Sequence, residues 1–150
     1  MSTPFTPSTC EFSFPSSLEA TQSLLDWFER QQPAGLDPLL WIQAKTALVE
    51  GFTNAVRHAH GPLVPQPSVK VSLSLTPTHL QLHIHDQGVP FDITNAWANV
   101  ARTPDQDSHW GLIMLCRLHR DFGWLIRYDH LPNGGNRLVM ERALNATTTS

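Results

Sequence analysis

Apolar residues recur along this chain with two periods, and the change from one to the other divides it. Leu18, Leu24, Leu25 and Phe28 fall roughly on one face of a helix that the spacing predicts from Ser16 to about Gln31. Ser16 and Glu19 form the capping-box pair that would start it, and Pro33-Ala34-Gly35 breaks it. A second helix follows from Asp37 or Pro38 to His58. Asp37 is the expected N-cap, Pro38 suits a first helical position whose N–H has no partner, and Gly61-Pro62 lies just beyond the end.

From Val69 the period drops to two. Val69, Val71, Leu73 and Leu75 alternate with Ser68, Lys70, Ser72 and Ser74. After a turn at Thr76–His79, Leu80, Leu82 and Ile84 alternate with Gln81, His83 and His85, giving a hairpin with one buried face. Glu11–Phe14 reads as a short edge strand stopped by Pro15. The stretch from Asp92 to Ser108 is mixed, with a helical turn near Asn95–Val100, and Gly111–Arg120 reads as a helix. Phe122–Asp129 and Asn136–Arg142 read as strands joined by Leu131-Pro132-Asn133-Gly134-Gly135, whose Asn-Gly step favours a tight turn. Helices, hairpin, helix, hairpin is the order of an α+β two-layer sandwich: a mixed, mostly antiparallel sheet with helices on one face. Neither a repeat nor an interdomain linker interrupts it. One domain is expected over residues 10–144, with residues 1–9 and 145–150 as flexible termini.

Composition narrows the function classes. A chain of 150 residues with 41% hydrophobic and 15% charged content can bury a real core. A net charge of -3 lacks the basic footprint of a nucleic-acid partner. Cys10 and Cys116 are far apart, in no metal-like spacing, and read as two reduced thiols. Met1–Thr9 has neither a basic segment nor an apolar one, and no apolar run approaches the roughly 20 residues needed to span a bilayer. A soluble, cytoplasmic protein is expected.

Three segments carry candidate chemistry. Within the second helix, Glu50, Asn54 and His58 are four apart, so each step drifts only about 40° and the three line one stripe. A carboxylate, an amide and an imidazole in a row also describe a solvated face. Asp86 follows Leu80, Leu82 and Ile84 in phase, which turns a carboxylate toward the covered side of the sheet, where a charge is costly without a partner. Gly88 follows it, in a segment that is also good turn chemistry. Gly111 opens an apolar helix, whose free N–H groups suit an anion, although most glycines at helix starts are nothing more. His83 and His85 share a strand face without a third ligand nearby, so a solvated or cross-strand role is expected for them. The five tryptophans fit a core or an interface better than a base-stacking platform.

In this order and spacing, the segments resemble the ATP-binding domain shared by gyrase and histidine kinases, the Bergerat type of two-layer sandwich. More narrowly they resemble the anti-sigma-factor serine kinases of bacteria. Glu50 to His58 looks like that family's E-x-x-x-N-x-x-x-H box, and Asp86-Gln87-Gly88-Val89-Pro90-Phe91-Asp92 like its D-x-G-x-P-F-D box. Trp110-Gly111-Leu112-Ile113-Met114 and Gly135 to Met140 resemble its later motifs less specifically. The resemblance implies ATP and Mg²⁺ as cofactors. Asn54 would ligate the metal, Asp86 would accept from the adenine amino group with Gly88 leaving room for the ring, and Glu50 would be the general base. Gly111 would lie at the phosphates, and His58 would support the site.

The same resemblance implies protein serine/threonine kinase activity toward an anti-anti-sigma (STAS-type) partner, sequestration of a sigma factor, or both, and a homodimer as one state. One departure qualifies it: His109 stands where the family usually has a lid glycine. That substitution threatens phosphotransfer more than nucleotide binding. It motivates the alternative of a nucleotide-binding or nucleotide-free interaction module without phosphotransfer. The ATP lobe of a histidine kinase is a third expectation, disfavoured because the chain is short for an added phosphoacceptor hairpin.

Overall fold

The structure, a computed structural model, describes residues 7–61, 63–102 and 110–144, and the side chains of residues 58, 99–102 and 110 lie outside that description. The two periods become two layers. In chain order the elements are β1 (Ser8–Phe14), α1 (Thr21–Glu29), α2 (Pro38–Asn54), β2 (Val69–Leu75), β3 (His79–Asp86), α3 (Ile93–Arg102), α4 (Trp110–Asp121), β4 (Leu125–His130) and β5 (Asn136–Ala143). The five strands form one sheet in the order β1-β2-β3-β5-β4. All four pairings are antiparallel, so the sheet is antiparallel throughout rather than mixed.

The register sets the core. Val71 lies opposite Ile84 and Leu73 opposite Leu82, and on the far side of β3 the same two residues face Leu138 and Met140. All six are at most 2% exposed. Burying one such side chain contributes roughly 1.5–3 kcal/mol, so this inner face is a main source of stability. Helix α2 closes over it with Leu40, Ala44, Ala47, Leu48 and Phe52 buried. At Gly51 the approach is closest: a Cβ there would lie 2.6 Å from Ile84 Cδ1 and 2.8 Å from Leu138 Cδ2. A mid-helix glycine costs about 1 kcal/mol, and here it lets the helix sit directly on the sheet. Phe28 of α1 stacks on Trp41 of α2 at 4.0 Å, joining the first two helices.

Several local expectations shift. Asp37 does cap α2, accepting from Leu39 N–H at 2.9 Å. The first helix is capped by Ser17 instead of Ser16: Ser17 Oγ accepts from Glu19 N–H at 3.1 Å, and a 3₁₀ turn, Leu18–Ala20, precedes α1. Ser16 is buried and has another partner, described below. The buried stripe of α1 is Leu24, Trp27 and Phe28, while Leu18, lying ahead of the α-helix, is 42% exposed. β1 begins at Ser8, and α3 is a ten-residue helix where a single turn was expected. The β4–β5 connection is the loop of residues 131–135, of the length expected. Gly134 N–H donates to Leu131 O and Leu131 N–H to Gly135 O, both at 3.0 Å. Gly134 and Gly135 hold φ values of +96° and +84°, which favour glycine.

Lys70, His83, His85, Arg127, Asp129 and Arg137 alternate with the core residues and project from the other face of the sheet. Cys10 and Cys116 are free thiols. Trp27, Trp41 and Trp124 are core residues and Trp97 packs against the core, as expected. Among the described residues no helix is long and apolar enough to cross a membrane.

Candidate functional site

The C-terminal half of α2 carries Glu50 and Asn54 one turn apart, both half-buried and flanking the buried Ala47 and Gly51. Beyond Asn54 the helix widens into a π-helical turn, Ala55–Ala59, closed by His60 N–H donating to Ala55 O at 2.8 Å. The four-residue step expected from Asn54 to His58 thus runs through a π turn in place of an α turn. The backbone of His58 lies in that turn, and its side chain lies outside the described residues.

The π turn delivers Ala59 and His60 to the exit of β3. His60 is fully buried. Its Nε2 accepts from Gln87 N–H at 2.8 Å, which assigns the ring proton to Nδ1, 3.0 Å from Ser16 Oγ. Burial lowers the His60 pKa, opposed by the charge of Asp86 and by the Pro67 backbone. Next to this clamp, a Cβ on Gly88 would lie 2.7 Å from Ala59 Cβ and 2.8 Å from Ala59 Cα. The side chain missing at Gly88 thus makes room for the π turn; the expected role of leaving space for a ring lies in a direction this contact does not address.

Asp86 is 3% exposed and well supplied with donors. Its Oδ1 accepts from Gly88 N–H at 2.8 Å and from Asn136 Nδ2 at 3.0 Å. The same Asn136 amide nitrogen also donates to Val89 O at 2.8 Å, holding both sides of the turn. Gly135 packs against it from the loop that leads into β5, since a Cβ there would meet Asp86 O. Burying an unpaired carboxylate would be prohibitive, and two donors on one oxygen make it tolerable.

At the other end, Glu50 meets α4. A Cβ on Gly111 would lie 2.7 Å from Glu50 Oε2, so this glycine admits the carboxylate to the first helical turn, where N–H groups lack intrahelical partners. Burial raises the Glu50 pKa and the charge of Arg57 opposes it. Asn54 Nδ2 donates to Tyr128 Oη at 2.8 Å, and the Tyr128 ring meets Phe91 edge-on with centroids 4.8 Å apart. Burial raises the Tyr128 pKa further, with the Asp86 charge acting in the same sense.

Asn54 is therefore tied to the sheet through Tyr128, and Glu50 lies one helical turn away on the same helix. Asn136, His60, Tyr128 and Gly135 also belong to this arrangement; Gly135 and Asn136 open the final-strand motif noted in the sequence, whereas His60 and Tyr128 were given no role at the site. Tyr128 is the chain's sole tyrosine and falls in phase on a strand, a signal that was there to read. The hydrogen bonds of Asn136 and His60 join segments far apart in sequence, which no local pattern announces. His109 and the stretch before it lie outside the described residues. His83 and His85 stand 6.3 Å apart on the open face, and no group of three metal-ligating side chains occurs among the described residues.

The donor set fits a metal brought by a ligand. Asn54 Oδ1 is a hard oxygen of the kind a Mg²⁺ carried on phosphates takes from a protein, with the Glu50 carboxylate one helical turn away. No curated protein sequence is significantly similar to the chain. A family model described as the histidine kinase-like ATPase domain matches residues 14–142, from the last residue of β1 nearly to the end of β5. With all the site residues above inside that match, the chain belongs to the histidine kinase-like ATPase domain family and is an ATP-binding, kinase-like ATPase domain.

Proposed function

We propose that the chain is an ATP-dependent protein serine/threonine kinase of the anti-sigma type. Its substrate would be a serine on an anti-anti-sigma, STAS-type partner, and a sigma factor would be a second ligand. The observation that carries the reading is the Asp86 turn. One carboxylate oxygen is held by Gly88 N–H and Asn136, which leaves Oδ2 to accept from an adenine amino group. Asn54 would hold Mg²⁺, which when bound draws charge from the phosphate oxygens.

Glu50 suits a general base. Burial has raised its pKa toward the working pH, where a base is most effective. In the transfer, the serine oxygen attacks the γ-phosphorus, the bond to ADP breaks, and the serine proton passes to the Glu50 carboxylate. Incubation with labelled ATP and a STAS-type domain should label the partner's serine, and Glu50→Gln should abolish label transfer while retaining ATP binding.

A second reading, nucleotide binding without phosphotransfer, is favoured by the contact between Glu50 and Gly111. A carboxylate at the first turn of α4 competes with phosphate for the same N–H groups. Persistent ATP binding without label transfer, to any STAS-type partner tried, would support that reading.

A further inference from the structure

We infer that Tyr128 is a positioning residue for Asn54, selecting which end of the Asn54 amide faces the nucleotide. The inference rests on the reading of this site as an ATP site and concerns how its metal ligand is set. An asparagine amide has an oxygen and a nitrogen of nearly equal size, and rotation about the last side-chain bond exchanges them. A cation requires the oxygen. Something must therefore hold the nitrogen back, and Tyr128 Oη accepts from Asn54 Nδ2 at 2.8 Å. No described residue hydrogen-bonds Asn54 Oδ1.

A phenol can donate as well as accept, so its own orientation matters. The 2.8 Å hydrogen bond runs from Asn54 Nδ2 to Tyr128 Oη, so the phenol oxygen is the acceptor and its own proton points elsewhere. The ring is fixed independently. Tyr128 pairs with Leu138 in the β4–β5 register, and Phe91 lies edge-on against it at 4.8 Å. Phe91 belongs to the segment that begins at Asp86. One phenol thus touches the metal end of the site and packs, through Phe91, against the segment that carries Asp86.

The test is titration of ATP, with Mg²⁺ and with EDTA, into the unmodified protein, Tyr128→Phe, Asn54→Ala and the double variant. Tyr128→Phe keeps the ring and its packing. It should weaken binding roughly fivefold in Mg²⁺, the size of one neutral hydrogen bond, and leave binding in EDTA unchanged. Added to Asn54→Ala it should cost nothing further, because the two act as one unit. In the ligand-free protein, the Asn54 side-chain amide protons should exchange slowly with solvent, and faster in Tyr128→Phe. Equal weakening with and without Mg²⁺, a full magnesium increment in the variant, tighter binding, or unaltered amide exchange would each overturn the inference. Failure of the unmodified protein to bind ATP in either condition would instead overturn the reading of the site, and this inference with it.

Discussion

At the scale of single residues, Asn136 joins two parts of the site: one amide nitrogen serves both Asp86 and Val89, while its Oδ1 is buried with no hydrogen-bond partner among the described residues. Asn136→Ala should therefore lower stability by roughly 1–3 kcal/mol in urea unfolding, the cost of stranding a buried acceptor. It should also weaken ATP binding more than a surface substitution such as Ser72→Ala. Glu50 gives a pH dependence with a definite sign. Its folded pKa is raised, so the ionised base is lost as pH falls through a value above the usual carboxylate range. Turnover should follow that limb. Because Arg57 opposes the shift, Arg57→Gln should move the limb to higher pH, modestly, since Arg57 is exposed and solvent screens its charge. Glu50, Asn54 and Asp86 were legible because each stands at a fixed offset within one periodic segment. Tyr128, Asn136 and His60 act across segments, and only the folded chain reveals their partners.

At the scale of elements, the π turn after α2 is the feature the sequence hid. A period of 3.6 extends smoothly from Asn54 to His58 on paper, yet the helix must widen to bring His60 under Gln87 and Ala59 against Gly88. The resulting clamp requires neutral His60, since a proton on Nε2 would set donor against donor at Gln87 N–H. The folded pKa is depressed below the unfolded value of about 6.5. The unfolded chain then binds more protons as pH falls below that value, so stability present above it declines toward the folded pKa. His83 and His85, also depressed by burial, act in the same direction. Urea melts should show the protein weaker at pH 5.5 than at pH 7.5, with a smaller difference in His60→Gln. An unchanged difference in that variant would place the dependence elsewhere. The β4–β5 loop is a second instance. Its turn and its length were legible, but not that Gly135 lies against the Asp86 carbonyl. Gly135→Ala combines a positive φ with that contact and should be among the most destabilising substitutions in the chain, read as a drop in melting temperature.

At the scale of the whole molecule, the two-layer arrangement could be read from the order of periods, because alternation and helical spacing each mark one buried face. The antiparallel sense of every strand pair, the ten-residue α3 and the seven-residue β1 were less visible. α3 and β1 take their lengths from packing and pairing that their own polar-rich sequences do not signal. The sheet brings Asp86 and Asn136 together as register partners on adjacent strands, and α2 lies across it with Asn54 over Tyr128. Both ends of the site thus depend on β3 and β5 keeping one register, since a slip of one residue would turn Asp86 to the opposite face.

The central claim, that these residues form an ATP site around Asp86, is tested most directly by calorimetric titration of Mg·ATP into the unmodified protein and Asp86→Asn. The account predicts saturable binding by the former and at least a tenfold loss in the latter, because the amide's nitrogen would meet donors where the carboxylate accepted them. No binding by the unmodified protein, or equal affinity in both, would contradict it.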